Sequence, residues 1–300
     1  MSNGGTFFTS GEIYGIKETY HIRRTSYLVG KKNIFIDDKS DCINFLSKVN
    51  YYRISGYLLP FIRKAEEKCF IDLSFNRIIN IYSFDAELRN LLSYAIEKVE
   101  VYIRTQLTYH HAHTYGSEGY MLESSFNPKH NHSSFIKHVQ SCIAENANTL
   151  VVKHHKKHYE GHFPLWSIMD FFSMGMLSYF YRGMKNPDKA EIAERLYGVN
   201  YQTLDSWLRC LTDLRNRCAH YSRLYYWIFP ALPKMPSGEK YSPTRRLFAQ
   251  LYMLKLMYPP TEDWNQDVLK PLIKLVKKYK PYISLKHLDF PYRWKFMLTK

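Results

Sequence analysis

Apolar residues recur at three- and four-residue steps along most of the chain, a spacing typical of amphipathic helices. The longest such run extends from Ser74 to about Tyr115, and Gly116 is placed to end it. A second strong run covers Asn200–Tyr226, with its apolar positions on one face. Those positions are Leu204, Trp207, Leu208, Leu211 and Leu214. The pattern predicts an all-α fold.

Weaker runs predict shorter helices that are interrupted by glycine and proline. Ser40 is the predicted N-cap of the first of these helices. In chain order they cover 40–49, 51–63 with a break at Gly56 and Pro60, 133–159, 164–184, 186–198, 244–257 and 262–279. Three regions are therefore expected. Residues 1–37 form an irregular segment with a short extended piece near 33–37, residues 38–228 form a helical domain, and residues 229–300 form a proline-rich loop with basic helices packed on that domain.

Composition adds a partner class to this picture. The 300 residues include 42 Lys and Arg against 27 Asp and Glu, a formal net charge of +15, and 26 tyrosines. Hydrophobic residues make up 45% of the chain, which excludes global disorder. Cationic side chains displace counterions from a polyanion, and aromatic rings stack on bases. The composition thus favours a polyanionic partner, but it indicates no chemistry.

Cysteine usage and hydropathy indicate the compartment. The five cysteines are scattered and never form a C-x-x-C pair, which argues against a disulfide framework and a structural zinc site. No stretch approaches the roughly 18 apolar residues of a membrane span, and the N-terminus has no secretory signal pattern. We therefore expect a cytoplasmic protein without membrane association, metal or cofactor.

The segment DLRNRCAH, residues 213–220, carries the strongest candidate chemistry. At about 100° per residue Asn216 and His220 share a helix face, and Arg215 is close enough for its long side chain to reach. Their position beside the apolar stripe predicts partial burial. Imidazole can exchange a proton with a ribose 2′-OH, guanidinium stabilises charge on phosphate, and the amide can orient the imidazole. These types fit RNA cleavage without metal, although they could also cap or satisfy buried carbonyls.

Several sequence blocks resemble the Abi-like (AbiD/AbiF-type) abortive-infection proteins and occur in that family's order. They are VNYYRISGYLLPF at 49–61, YSFDAELR at 82–89, AIEKVEVYIR at 95–104, LW at 165–166 with FSMGMLS at 172–178, and LRNRCAHYSRL at 214–224. Within the last block, RNRCAH resembles the R-N-x-x-x-H form of the Arg-x4-6-His motif of HEPN ribonucleases. The blocks span about residues 38–226.

The resemblance implies a HEPN-like helical bundle, extended here by N- and C-terminal helices. It also implies a metal-independent endoribonuclease toxin of a phage-defence system, of the abortive-infection or toxin–antitoxin kind. RNA would be cut through the 2′-OH to a 2′,3′-cyclic phosphate, with a bound small RNA or another antitoxin restraining the activity. HEPN sites are usually composite, which implies a homodimer.

Carrying the motif over assigns Arg215 to the phosphate, Asn216 to orientation and His220 to proton transfer or leaving-group contact. Glu100 and Arg104, one helical turn apart, form a possible supporting site or else an ordinary salt bridge. Arg104 with His110 and His111 also satisfies the loose motif spacing, but no Asn follows that arginine, and a plain helix end is favoured.

The alternative to the enzyme is an RNA-binding protein with a silent HEPN site that captures a structured RNA.

Further basic residues are candidates for RNA contact, although most charged runs are only solvated surface. The candidates are Arg53, Lys153, His154, Lys156, Lys157, Lys277, Lys278 and Arg293. Arg53 lies among aromatic residues, where an internal ion pair is equally plausible. His154 and His158 stand one helical turn apart, the spacing of a two-histidine metal face. No carboxylate or cysteine supplies a matching third ligand, so no metal is predicted.

Overall fold

Helices account for the regular structure of the part of the chain that the structure describes. The structure is a computed structural model, and it describes residues 34–62 and 73–300. Within those ranges isolated β-bridges join Phe35 to Ser74 and Phe126 to Met184, but no β-strand forms. The all-α prediction is confirmed. Residues 1–33 of the predicted irregular segment 1–37, and Arg63 of the second predicted helix, lie outside the described ranges.

The described residues form twelve α-helices, three more than the nine that the sequence pattern predicts. They are α1 Lys39–Lys48, α2 Tyr51–Ser55, α3 Phe75–Tyr115, α4 His132–Glu145, α5 Leu150–His158, α6 Leu165–Ile168, α7 Met174–Gly183, α8 Asn186–Tyr197, α9 Tyr201–Ala219, α10 Leu247–Met257, α11 Lys270–Tyr279 and α12 Trp294–Leu298. Shorter 3₁₀ turns occupy Gly56–Phe61, Gly119–Met121, Glu123–Ser125, Met169–Phe171 and Leu285–Leu288, and a π turn covers Asn265–Leu269.

Helix α3 matches its prediction because its apolar residues keep helical spacing over its whole length. Those on its buried face are almost fully shielded from solvent: Ile78, Ile81, Phe84, Leu88, Leu92, Ala95, Val99, Ile103 and Leu107. The helix ends before Gly116, whose φ of +85° lies in the left-handed region that glycine adopts without strain. A single continuous element therefore carries both Glu100 and Arg104.

Two predicted long helices are each broken into shorter ones. The predicted helix 133–159 is α4 and α5, separated at residues 146–149, because the Thr149 hydroxyl accepts the Val152 N–H and starts a new helix. The predicted helix 164–184 breaks at Phe172, whose backbone is extended, and Ser173 then caps α7. In both cases a hydroxyl side chain outcompetes helix continuation.

Smaller differences occur at other helix ends. The cap of α1 is Asp38, whose carboxylate accepts the backbone N–H groups of Ser40 and Asp41, so Ser40 is not the cap. The last predicted helix begins at 262, whereas the observed π turn begins at Asn265 and α11 follows it from Lys270. The prediction for Gly198 is confirmed, since it ends α8 with a φ of +61°.

The chain forms two compact units, and neither is one continuous stretch. The first contains the described residues up to Leu88 together with Arg223–Trp227 and Lys274–Leu288. The second contains Arg89–Ser222, Ile228–Ile273 and Asp289–Lys300. The predicted domain boundaries at 37/38 and 228/229 remain a prediction.

A buried carboxylate organises the first unit. Asp85 is fully buried, and its oxygens accept the Tyr57 hydroxyl at 2.7 Å and the backbone N–H groups of Leu224 and Tyr225 at 3.1 and 2.8 Å. A buried charge is tolerated when such donors replace its water. Three of the sequence blocks, 49–61, 82–89 and 214–224, thus meet at one side chain. Asp85 therefore connects segments that lie far apart in the sequence.

Helix α9 lies at the centre of the second unit. It packs against α7, α8 and α10, and its predicted apolar stripe is buried. The stripe residues Leu204, Trp207, Leu208, Leu211 and Leu214 expose no more than 1% of their surface. Full burial of such side chains stabilises a fold by about 1.5–3 kcal/mol each. This packing fixes the helix on which Arg215 and His220 are carried.

Candidate functional site

Helix α9 ends where the candidate site begins. Its C-cap is His220, and the backbone N–H groups of Tyr221 and Ser222 donate to the carbonyls of Cys218 and Arg217 at 3.1 and 2.8 Å. This pairing is a Schellman motif, which needs a left-handed residue after the cap. Tyr221 supplies it with a φ of +54°. The predicted continuation of this helix to Tyr226 is therefore wrong. The left-handed residue that ends a helix is usually glycine, and here it is a tyrosine, so the sequence carries no sign of the helix end.

The three motif residues differ in exposure. The Arg215 side chain is 38% exposed and meets the expectation of partial burial, whereas Asn216 and His220 are exposed. The expectation of partial burial is wrong for those two, because the helix ends at His220 and the chain turns away. Among the described residues, no side-chain hydrogen bond joins any two of the three. The imidazole is open to an incoming ligand.

Arg215 points into a cleft between α3 and the last turns of α9. The cleft has a volume of about 310 Å³. It is lined by Ser93, Ile96, Glu97, Glu100, Val101, Arg104, Arg215, Cys218 and Ala219. The structure thus brings the predicted supporting pair together with Arg215 but leaves Asn216 and His220 outside the lining of the cleft.

One carboxylate in the cleft serves two guanidinium groups. Glu100 Oε1 accepts from Arg104 Nη2 at 2.7 Å, and its Oε2 lies 3.6 Å from Arg215 Nε. Arg104 also donates to the Met169 carbonyl, and only 9% of its surface is exposed. Arg104 is therefore held in place, whereas Arg215 makes one longer ion pair at the cleft mouth. Arg215 is the cation that can turn to a phosphate.

Glu100 is expected to position Arg215 and to stabilise buried Arg104. Changing Glu100 to glutamine should lower the free energy of unfolding by about 3 kcal/mol, because Arg104 then keeps a buried charge without its counterion. Urea unfolding followed by circular dichroism measures this change. The matched control is Glu97→Gln, which removes an exposed carboxylate from the same cleft. Equal destabilisation by both variants would contradict this role for Glu100.

The second arginine–histidine pairing in α3 has a different environment. His111 is fully buried against the rings of Tyr115, Phe126 and Phe180. Burial lowers its pKa to about 4, with a smaller opposing effect of Asp188. His110 lies 3.7 Å from a carboxylate oxygen of Asp188. These imidazoles pack inside the unit, which favours the plain helix-end interpretation over a second half-site.

The buried imidazole of His111 predicts a pH dependence of stability. An unfolded histidine binds a proton near pH 6.5, whereas folded His111 stays neutral down to about pH 4. The free energy of unfolding should therefore fall as the pH is lowered through this window, and this group adds no further loss below it. His111→Phe should make the fall shallower. Urea unfolding at pH 7 and pH 4.5 compares the two proteins, and identical pH dependence would contradict the assignment.

The predicted RNA-contacting residues are all on the surface. Exposed side chains are those of Arg53, Lys153, His154, Lys156, Lys157, Lys277, Lys278 and Arg293. Four of them lie on the single short helix α5, which concentrates charge there. Lys278 is 2.6 Å from Glu87, and Arg293 lies 4.9 Å over the Phe296 ring, so each is already engaged. The α5 group is the better candidate for contact with a polyanion.

Sequence reasoning missed part of the cleft. Ser93 and Ile96 line it with Glu97, Glu100 and Arg104, and their three- and four-residue spacing along α3 is a signal that could have found them. The Met169 carbonyl left no such signal.

Among the residues described, no cluster of three or more His, Cys, Asp or Glu can hold a metal. No helix of the described chain is long and apolar enough to cross a membrane.

Comparison with known proteins places the chain in a family. A family model described as Abi-like protein matches residues 44–226, more than half of the chain. No curated protein and no solved structure matches the chain. The matched range contains every sequence block that carried the resemblance, as well as the cleft between α3 and α9. The chain therefore belongs to the family of Abi-like proteins.

Proposed function

We propose that this chain is a metal-independent endoribonuclease that acts as a toxin in abortive-infection phage defence. Membership in the Abi-like family indicates the defence role. The observation that supports the nuclease activity is the cleft, where Arg215 is partly exposed beside Glu100. The exposed His220 lies at the end of the same helix. The residue types are those of general acid–base cleavage of RNA.

In the proposed reaction, Arg215 binds the scissile phosphate and stabilises the charge that accumulates on it. The ribose 2′-oxygen attacks phosphorus and gives up its proton, and the bond from phosphorus to the 5′-oxygen breaks as that oxygen gains a proton. The products are a 2′,3′-cyclic phosphate and a 5′-hydroxyl. His220 is assigned one of these two proton transfers, and Asn216 orients the substrate or the imidazole.

The second proton transfer needs a second group. Among the described residues no side-chain hydrogen bond joins Arg215 to His220, and Arg215 lines the cleft whereas His220 is exposed outside its lining. We assign the missing group to His220 of a second copy of this chain, so that the active site is composite and the enzyme a homodimer. The exposed cations of α5 are assigned to RNA, either the substrate or a small RNA that restrains the toxin.

The direct test uses protein from which bound nucleic acid has been removed. Incubation with RNA in EDTA should give cleavage, because no step of the proposed reaction uses a metal ion. Removing nucleic acid matters because an inhibitory RNA would silence the wild type. Salt-dependent RNA binding without cleavage by the stripped protein would overturn the nuclease and support an RNA-binding protein with a silent site.

A further inference from the structure

A second pocket in the second unit is basic and lies apart from the residues assigned to cleavage. It has a volume of about 470 Å³ and opens between the loop at 127–130, the end of α7 and the start of α8. Its lining consists of Asn127, Pro128, Lys129, His130, Tyr179, Arg182, Gly183, Asn186 and Lys189. Three of these side chains are cationic, and among the described residues no carboxylate lines the pocket.

The walls of the pocket are fixed in place by Asn127. Its side-chain amide donates to the carbonyls of Arg182, Gly183 and Met184 at 3.0, 2.8 and 3.2 Å. Its backbone N–H also donates to the Gly183 carbonyl at 2.8 Å. These bonds tie the loop to the end of α7 and satisfy carbonyls that the helix leaves unpaired. The pocket is therefore preformed, which lowers the entropy cost of binding a ligand.

Lys189 is a cationic side chain that lies almost fully buried. Only 7% of its surface is exposed, yet its ammonium makes one long hydrogen bond, 3.4 Å to the Arg182 carbonyl, and lies 5.0 Å over the Tyr201 ring. No carboxylate of the described residues pairs with it. Burial lowers its pKa, opposed by Asp205. A buried ammonium without a counterion is the arrangement expected where an external anion binds.

Neighbouring groups add to the attraction for an anion. Helix α8 has 12 residues and no side-chain cap at its N-terminus, where Asn186 lines the pocket. His130 is 8% exposed, and its Nε2 is buried without a hydrogen-bond partner. Asp188, in the first turn of α8, accepts the Tyr115 hydroxyl at 2.6 Å and does not line the pocket. The first-turn carboxylate is thus engaged by Tyr115 and is not part of the pocket wall.

The charge of the pocket indicates the class of anion. Lys129, Arg182 and Lys189 supply three positive charges. Asp205 offsets part of this charge, because its carboxylate lies 3.3 Å from Arg182 Nε and also 3.3 Å from Arg209 Nη2. At least two positive charges remain. A phosphomonoester carries roughly −1.5 to −2 near pH 7, whereas a phosphodiester carries one negative charge. The match favours the monoester.

We propose that this pocket binds a phosphomonoester, either the terminal phosphate of an RNA chain or a free mononucleotide. Binding there does not require RNA cleavage, so the proposal goes beyond the nuclease. The phosphate oxygens accept from Lys129, Arg182 and Lys189, and the N-terminus of α8 faces the same charge.

Calorimetric titration with adenosine 5′-monophosphate and with adenosine tests the pocket itself. The monophosphate should bind and adenosine should not. Lys189→Met keeps the buried aliphatic stem, and Lys129→Gln changes an exposed side chain that the fold does not need. Each should weaken monophosphate binding about tenfold, since a charge-assisted contact is lost. Lys137→Gln, an exposed lysine on α4, is the matched control and should bind as the wild type does.

A second titration distinguishes the sources of the phosphate. An uncleavable 2′-O-methyl RNA decamer is compared with and without a 5′-phosphate. Tighter binding of the phosphorylated decamer, lost in Lys129→Gln, assigns the site to an RNA terminus. Preference for the phosphate in the mononucleotide alone assigns it to a free nucleotide. Equal binding of the monophosphate and adenosine, or unchanged monophosphate affinity in both lysine variants, would overturn the proposed phosphomonoester site, even if the protein cleaves RNA.

Discussion

Replacing His220 with alanine is expected to lower the rate constant for RNA cleavage by about 10²- to 10⁴-fold, the usual contribution of a general acid or base. The fold should not change, because the contacts of His220 that end α9 are made by its backbone. Single-turnover cleavage of a labelled RNA in EDTA measures the chemical step. The affinity for RNA should stay near the wild-type value, since the cations of α5 and Arg215 remain.

His138 provides the matched control for that variant. It is an exposed histidine on α4 whose ring forms a hydrogen bond with the Ser134 carbonyl one turn earlier. His138→Ala should cleave RNA at the wild-type rate. A His220→Ala protein that keeps full activity would remove the central residue from the mechanism, whatever the control does.

Replacing Arg215 with alanine is expected to lower the cleavage rate constant by about 10²- to 10³-fold, the effect of removing one donor to a developing oxyanion. Arg215→Lys should recover only part of the activity, because an ammonium keeps the charge but lacks the planar fork that binds two phosphate oxygens. Glu100 holds the guanidinium at the cleft mouth, and a lysine is too short to reproduce that placement.

Arg209 is the matched control for Arg215. It lies on the same helix, is mostly exposed and pairs with Asp205 at 3.3 Å. Arg209→Ala should leave the cleavage rate unchanged. If Arg215→Lys and Arg215→Ala both cleave at the wild-type rate, the phosphate is bound elsewhere and the cleft between α3 and α9 is not the active site.

The sequence predicted the helical class and the buried faces well, because burial dictates a three- to four-residue spacing that can be counted. It predicted helix ends poorly where an exception replaced the usual signal. Tyr221 takes the left-handed position without being glycine, and Asp38 replaces Ser40 as a cap. Thr149 breaks a helix whose periodicity continues through it. These outcomes depend on competition between local hydrogen bonds, which periodicity does not weigh.

The candidate site was predictable only in part. The spacing of Glu100 and Arg104 along α3 was visible, but their approach to Arg215 depends on the packing of distant segments. The Met169 carbonyl that holds Arg104, and the pocket around Lys189, arise from loops and helix ends. The groups that meet there lie far apart in the sequence, so no local sequence pattern predicts their contact.

In the proposed mechanism RNA is cut through its own 2′-OH by Arg215 and His220. Mass spectrometry of the fragments released in EDTA by stripped wild-type protein tests it most directly. Fragments with 2′,3′-cyclic phosphate and 5′-hydroxyl ends are expected from the wild type, with their yield reduced to the background level in His220→Ala. Fragments with 5′-phosphate ends, or the same cyclic-phosphate yield from His220→Ala, would contradict it.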